Sequence, residues 1–410
     1  MENIVFLGYV VPPEQLSGSV AGNKMQWNVL NQLSKRNGIT LSCVSVTPSR
    51  SFPHEKKIRY RYHAEQLFEN VKNHKIGFWN IPIIKQLSQI IGVYRMGKRL
   101  VKENQADILF CFNLFPQIGI PMRWLKRKFP QLKTFCLLAD LPIDDTPNRS
   151  AFSRILRSLF DKSTFKSMKK CEYYVTLNES AMKQYLPNKP YIIMDGGINP
   201  DEFLDKSCVW SGEEKNIIYT GALVDYSGII NLIKSIDFIE DKTVVLDIYG
   251  GGPLENEIRQ ISEQNHRIRF HGIVDNRAAM MAQQSSWLLA NPRPVESEIA
   301  KVTFPSKIFE YLMSERPVMT TRLNGFSKDY DEILFWIDGE TPEDIAECVN
   351  RINKESAEAL LERAKSAKQY LLKNKTWEIN AKKIHDFMIE SFCINGENYE
   401  TNESGEQTRH

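Results

Sequence analysis

Residues 305–310 read Pro-Ser-Lys-Ile-Phe-Glu and open a run with helical character that ends at Arg316-Pro317. Proline is favoured at a first helical position, because the N–H it lacks would have no partner there. With Pro305 in that place, the N–H groups of Ser306 and Lys307 point out of the helix start, where the helix dipole favours an anion. The serine hydroxyl and the lysine ammonium add donors in the same direction, which makes a phosphate cradle. Glu310, one turn further in, would repel a phosphate unless its carboxylate binds something else. The two vicinal hydroxyls of a ribose can both donate to one carboxylate. The spacing therefore fits a nucleoside diphosphate, with phosphates on the helix start and ribose on Glu310. An amphipathic surface helix with an incidental glutamate satisfies the same spacing.

Other chemistries find less support. The seven histidines (54, 63, 74, 266, 271, 385 and 410) include none at a recognisable strand end of the first half, so histidine catalysis is not expected. His271, beside Gly272, reads as a packing or base-flanking residue. Asp140, Asp144 and Asp145 do not form the D-x-D pair of metal-dependent sugar transfer, because Pro142 holds the third position. No His/Cys cluster has zinc spacing. Gly250-Gly251-Gly252 lacks the G-x-G-x-x-G spacing of a dinucleotide site. The seven cysteines (43, 111, 136, 171, 208, 348 and 393) are scattered, as in a reduced protein.

The elements that must position these residues alternate between strand and helix. In the first half, apolar runs at Asn3–Val10, Thr40–Val46, Asp107–Asn113, Lys133–Asp140, Tyr173–Asn178 and Tyr191–Met194 read as strands. Helical stretches fall near 22–36, 82–103, 150–170 and 179–185. The pattern restarts with Asn216–Thr220, Val244–Tyr249, Ile268–Phe270, Trp287–Ala290 and Val318–Thr321. Continuous rather than alternating apolar strands indicate sheets covered by helices on both faces. The expected class is thus α/β, with two doubly wound Rossmann-like domains, and ligands of such sheets bind at the strands' carboxyl ends. The expected division is 1–190, 191–375, a C-terminal helix at 376–393 returning to the first domain, and a disordered polar tail at 394–410. The Gly- and Pro-containing stretch from Asp195 to Asn216 reads as the linker.

Charge separates the halves. Residues 1–190 hold 29 Lys and Arg against 13 Asp and Glu, whereas 191–410 hold 24 against 37. A basic half suggests an anionic partner. Residues 149–170 concentrate it: Arg154, Arg157, Lys162, Lys166, Lys169 and Lys170 accompany Phe152, Ile155, Leu156, Leu159 and Phe160. This stripe is either core-facing or part of an anionic membrane surface contact. No apolar run is long enough to span a bilayer. The N-terminus enters Ile4–Leu7 without a basic leader, so a cytoplasmic location is expected.

The stretch "FPSKIFEYLMSERPVMTT" resembles the donor-nucleotide motif of retaining glycosyltransferases of family 4, which have the two-domain GT-B fold. "NIIYTGALVDYSGIINLIKSI" resembles the opening of that family's second domain, and "LDIYGGGPLENEI" its Gly-rich second turn. "RIRFHGIVDN" resembles the segment beside the nucleotide base, and "SWLLANPRP" the strand leading into the donor motif. The resemblance runs in order through residues 216–322. It implies a central cleft and donor contacts at Gly22, Gly221, Gly228, Gly251, Gly272, Ile273, Pro305, Ser306, Lys307 and Glu310. It implies transfer from a nucleotide diphosphate sugar, most often a UDP-sugar, with retention of configuration. The acceptor would be a glycan or lipid-linked saccharide in cell-surface polysaccharide assembly. Neither a cofactor nor nucleic acid is implied.

Three departures qualify the match. The family's first glutamate, eight positions before Glu310, is Val302 here, leaving Glu296 or Glu298 as substitutes. The Arg and Lys that follow the first strand of the second domain are replaced by Ala222 and by Asp225-Tyr226-Ser227. Lys307 and Arg293 are the candidates for the missing positive charge. The acceptor-side histidine is absent, and the matching segment offers Ala139-Asp140, with Asp140 a candidate for orienting the acceptor. The departures leave two alternatives open, a non-catalytic nucleotide-sugar-binding subunit and a GT-B nucleotide-sugar epimerase.

Overall fold

The computed structural model describes residues 2–12, 20–142, 151–203, 210, 212, 214–295, 304–305 and 307–393. The chain divides into two compact units, one built from Met1–Met194 with the segment from Trp377 onward, the other from Asp195–Thr376.

Among the described residues unit 1 contains ten strands: β1 (Glu2–Gly8), β2 (Ile39–Ser45), β3 (Arg59–Tyr60), β4 (His63–Phe68), β5 (Val71–Lys75), β6 (Phe78–Trp79), β7 (Ile108–Phe112), β8 (Lys133–Leu138), β9 (Tyr173–Thr176) and β10 (Tyr191–Ile193). Eight of them form one sheet in the order β10-β9-β8-β7-β1-β2-β5-β4. All its pairings are parallel except that of the edge strand β4 with β5. The central strands β1 and β7 reverse the strand order at their carboxyl ends. Both carry almost wholly buried apolar runs, as a sheet covered on two faces requires. β3 and β6 pair separately as a short antiparallel ribbon.

Helices Ile84–Glu103, Pro116–Lys128 and Ala151–Lys170 pack side by side in that order. The last two approach closely at Gly119, where a Cβ would stand 2.6 Å from the Ser167 side chain. The last helix, Trp377–Cys393, packs on Val20–Ser34, and Arg36 Nε donates to His385 Nδ1 at 3.0 Å.

Unit 2 holds β11 (Asn216–Thr220), β12 (Val245–Tyr249), β13 (Ile268–Gly272), β14 (Leu288–Asn291), β15 (Val318–Thr321) and β16 (Phe335–Ile337). They form an all-parallel sheet in the order β13-β12-β11-β14-β15-β16. This is the Rossmann order, and its crevice lies between the carboxyl ends of β11 and β14. The apolar core of this unit joins Ile217, Leu246, Ile248, Leu288 and Met319 to the helices flanking the sheet.

The structure departs from the sequence reading at several elements. β3 to β6, β16 and the helix Pro116–Lys128 were not expected. β4 and β5 are rich in polar residues, and the helix contains Pro121, so none shows the apolar pattern of its class. The segment from Asp195, read as a linker, is built into unit 2. Asp195 accepts from Tyr330 Oη at 2.7 Å and from Lys375 Nζ at 2.8 Å, and Ile198 pairs with Thr376. The expected disordered tail at 394–410 lies outside the described residues. Cys43, Cys111, Cys136, Cys171 and Cys348 are buried and free, and Cys393 is exposed.

Candidate functional site

The carboxyl edge of the unit 2 sheet is laced together by its glycine-containing turns. Gly221 N donates to Tyr249 O at 2.9 Å, Gly250 N to Gly272 O at 2.8 Å and Leu223 N to Gly251 O at 3.1 Å. Side chains cannot intervene at two of these positions. A Cβ on Gly250 would stand 1.8 Å from Gly221 O. One on Gly228, where φ is +74°, would stand 1.9 Å from Pro292 O. The loop after β11 is therefore pressed on the loop after β14, at the switch point of the strand order. A Cβ on Gly251 would meet the Ile273 side chain at 2.6 Å and Glu255 Oε2 at 3.7 Å, and Ile273 is itself 79% exposed. Packing among these turns thus already accounts for Gly228 and Gly250. The sequence reading singled out Gly251, although Gly250 has the tighter backbone contact.

Arg293 follows β14 in the tightly held loop. Its carbonyl accepts from Thr321 Oγ1, and the nearby Val295 N donates to Glu340 Oε1 at 2.6 Å. The guanidinium lies over the Tyr226 ring, 5.9 Å from its centroid, and its buried Nε has no hydrogen-bond partner among the described residues. Burial lowers its pKa, with Tyr226 opposing that shift. A cation held this way is oriented without an ion pair to a carboxylate among the described residues.

The helix Lys307–Met313 is anchored to β11 by Tyr311, whose hydroxyl accepts from Thr220 N at 2.9 Å. Gln283 Nε2 donates to Thr220 Oγ1 at 3.0 Å, which fixes the same strand end. The helix start is thereby held against the β11 turn. Burial lowers the Lys307 pKa, and the negative charge of Glu310 opposes that shift. Both side chains are half-buried, and neither makes a hydrogen bond or ion pair among the described residues. Pro305 is not the first helical residue as expected. The helix begins at Lys307, and Pro305 precedes it with its carbonyl accepting from Ile308 N at 3.0 Å. A proline has no rotation about φ, so it still fixes the entry into the helix. Ser306, Glu296 and Glu298 lie outside the described residues.

Unit 1 has its own fixed groups at the carboxyl ends of its central strands. Asn23 accepts from Val11 N at 2.9 Å, and Gln26 accepts from Tyr9 N at 2.8 Å, so the end of β1 is pinned to the helix Val20–Ser34. Gly22 lies in the first turn of that helix, and its carbonyl accepts from Gln26 Nε2 at 3.1 Å. Asn113, buried at the end of β7 with φ +46°, organises the matching end of β8. Its Oδ1 accepts from Ala139 N at 2.9 Å and Asp140 N at 3.0 Å, while its Nδ2 donates to Asp140 Oδ2 at 3.2 Å. Asp140 has accessible surface, yet neighbouring protein displaces enough water to raise its carboxyl pKa, against the Asn113 hydrogen bond. Asp144 and Asp145 lie outside the described residues.

Two histidines differ in what they reveal. His74, given no strand end from sequence, is the penultimate residue of β5, with Nδ1 3.0 Å from Tyr62 Oη. Burial lowers its pKa, helped by Arg99 and Lys72. His271 is a packing residue: Nε2 lies 2.7 Å from Asp247 Oδ1, and the ring stacks on Tyr249 at 4.3 Å.

The comparisons with known proteins bear on this edge. Residues 214–355 match the family model described as glycosyl transferases group 1. The matched span lies within unit 2 and includes every candidate donor residue named from the sequence except Gly22. Among solved structures, sucrose-phosphate synthase from Thermosynechococcus elongatus aligns with a TM-score of 0.67 at 11% identity, covering 96% of this chain and 100% of that one. A glycosyltransferase from Rickettsia africae aligns at 0.65 and 13% identity, again over 96% and 100%. Anabaena HepE, solved in complex with UDP, aligns at 0.62 and 12% identity over 95% and 100%. No curated protein gives a significant sequence match. These likenesses show the GT-B fold, and the group 1 domain supports sugar transfer.

Sequence reasoning reached Arg293, Lys307, Glu310 and Asp140 but missed the residues that hold them. Tyr226, Tyr311, Glu340 and Asn113 act through contacts across chain separations that no local pattern reports. Asn113 left one trace, a polar residue at the end of the apolar run Ile108–Phe112.

Proposed function

We propose that the protein transfers a sugar from a nucleotide diphosphate sugar, with UDP the leading nucleotide, to a saccharide acceptor with retention of configuration. The observation that carries this reading is that three charged groups without an ion-pair contact follow the strand ends of a backbone-lined carboxyl edge. Arg293, Lys307 and Glu310 lack ion-pair partners among the described residues, and at Gly228 and Gly250 the switch-point turns have no room for a side chain. Two cations suit a diphosphate, and a carboxylate suits a ribose diol.

In this reading Arg293 and Lys307 stabilise the charge that grows on the diphosphate as the glycosidic bond breaks. Both are partly desolvated, which strengthens their field. Lys307 binds in its charged form, because the diphosphate restores what burial disfavours. Gly272 and Ile273 lie beside the base. The departing phosphate itself takes the acceptor's proton, and Asp140 orients the acceptor hydroxyl under the hold of Asn113. The two cations supply the positive charge of the site, so turnover proceeds without a divalent ion.

The acceptor is proposed to be a glycan or lipid-linked saccharide, and the protein to work at the cytoplasmic face of a membrane. Ile155, Leu156 and Leu159 of the basic helix Ala151–Lys170 support that location, because they are 62%, 43% and 58% exposed rather than core-facing. Among the described residues no helix is long and apolar enough to cross a membrane.

A panel of UDP-, GDP-, ADP- and TDP-sugars, assayed for release of the nucleoside diphosphate with and without EDTA, tests the reading. One donor should be turned over equally in both. Binding without release from any donor, with saccharide and lipid-linked acceptors present, would make the protein a nucleotide-sugar-binding subunit instead.

A further inference from the structure

The helix Ile84–Glu103 begins inside out. In its first two turns Lys85 and Gln89 face the protein, at 8% and 3% exposure, while Ile84, Leu87 and Ile91 face outward at 48%, 57% and 44%. The three apolar positions share one helical face by their spacing. Ile90 between them, and Val93, Leu100 and Val101 further along, are buried in the ordinary way, so the inversion is confined to one face of the helix start. Lys85 is tied inward by its ammonium, which donates to Ser49 O at 2.6 Å. Burying a lysine while exposing three aliphatic side chains stabilises neither side of the helix in water.

Ile83, just before the helix, adds a second and independent anomaly. It has φ +69° and is 59% exposed. With ψ −54° it forms a γ-turn closed by Ile84 N donating to Pro82 O at 2.8 Å, a strained turn for a β-branched residue, and no burial of its side chain offsets the cost. The turn leaves the Ile83 side chain exposed beside the outward face of the helix.

The adjoining ribbon of β3 and β6 carries the complementary chemistry. Trp79 is 44% exposed with the Arg59 guanidinium 4.9 Å from its ring centroid, and Lys57 lies 4.4 Å from the centroid of Tyr60. Lys56, Lys57, Arg59 and Arg61 are all exposed, and the nearest acidic group, Glu55, is occupied by Tyr60 Oη and Arg50 N. Aliphatic tips, an exposed tryptophan and surrounding cations together describe the interface of an anionic bilayer. A protein partner would instead favour an apolar centre from which charge is depleted.

We propose that Trp79, Ile83, Ile84, Leu87 and Ile91 form a shoulder of unit 1 that inserts into the interfacial layer of an anionic lipid membrane, with Lys56, Lys57, Arg59 and Arg61 on the headgroups. This assigns a membrane contact at residue level on an element other than the basic helix Ala151–Lys170. It is independent of the nucleotide edge, because all these residues belong to unit 1.

The experiment uses the full chain with vesicles of phosphatidylcholine alone and of phosphatidylcholine mixed with phosphatidylglycerol. Wild type should sediment with the mixed vesicles and less so as salt is raised. Quenching of tryptophan fluorescence by brominated acyl chains should fall in Trp79→Phe. The triple variant Ile84→Ser/Leu87→Ser/Ile91→Ser changes only exposed side chains, and it should lose affinity by about tenfold or more. The same variant should keep its melting temperature and its calorimetric affinity for the nucleoside diphosphate. Wild type remaining in the supernatant at low salt would overturn the proposal, as would a triple variant that sediments like wild type. Concentration-dependent self-association of wild type without vesicle binding, abolished by the triple change, would assign the shoulder to a second copy and also overturn it. Loss of nucleotide binding in Glu310→Ala with vesicle binding retained keeps this inference separate from the catalytic reading.

Discussion

Gly228 and Gly272 form a matched pair for testing how the nucleotide edge is built. Their φ values are +74° and +73°, so alanine meets the same left-handed penalty at each. That shared cost is about 1 kcal/mol. The surroundings differ: a Cβ on Gly272 meets nothing within 4 Å, whereas one on Gly228 meets Pro292 O at 1.9 Å. Since such contacts are not tolerated below 3.0 Å, the β11 and β14 loops must part by about 1 Å. Lost packing at that junction adds about 2 kcal/mol, for a total of about 3 kcal/mol in Gly228→Ala. The same displacement shifts Arg293, one residue beyond Pro292, from the position in which it is proposed to meet the diphosphate. A misplacement of that size is worth about a hundredfold in turnover. Urea unfolding and donor turnover on both variants make the comparison. Gly272→Ala should lose about 1 kcal/mol, with any loss of activity confined to the donor KM because Gly272 is proposed to lie beside the base; Gly228→Ala should lose more stability and also lower kcat. Equal effects in the two variants would refute the claim that the loop junction positions the site.

The remaining predictions address single groups. Glu310→Ala should weaken nucleoside diphosphate affinity by about ten- to hundredfold in calorimetry without changing the melting temperature, as for one lost charged hydrogen-bond acceptor. Lys307→Ala should bind the nucleoside almost as wild type does and the diphosphate less well; equal losses for both would indicate a fold defect. Asp140→Asn should lower transfer while leaving stability at pH 7 equal to or above that of wild type. Because burial raises the Asp140 pKa, wild type is favoured while that carboxyl is protonated and loses the benefit as pH rises through the raised value. The stability difference between Asp140→Asn and wild type should therefore shrink toward acid, which melting curves at pH 4 and pH 7 would show.

The fold was legible where burial is strongest. Strands Asn216–Thr220 and Val318–Thr321 are continuous apolar or β-branched runs, and their limits could be read directly. β4 and β5 could not, because an edge pair with polar residues such as His63, Glu65 and Asn73 has no apolar signature. The helix Pro116–Lys128 was hidden by Gly119 and Pro121, residues that locally argue against a helix. The candidate site was legible in its charged groups, since Lys307 and Glu310 sit on one helix start. Its scaffold was not, because the Gly228–Pro292 contact and the Tyr311–Thr220 hydrogen bond join segments far apart in sequence. The apolar residues of the helix Ala151–Lys170 show the limit of periodicity. Ile155, Leu156 and Leu159 have helical spacing, yet this helix buries Thr164, Ser167 and Met168 instead.

The central claim is that a nucleotide diphosphate occupies the carboxyl edge of the unit 2 sheet, held by Arg293, Lys307 and Glu310. Hydrogen–deuterium exchange of the full chain, with and without the nucleoside diphosphate of the preferred donor, tests it most directly. The account predicts slowed exchange in peptides spanning 219–230, 249–254, 271–274 and 305–311, where backbone N–H groups meet the ligand. Protection absent from all four, or confined to peptides of unit 1, would contradict it.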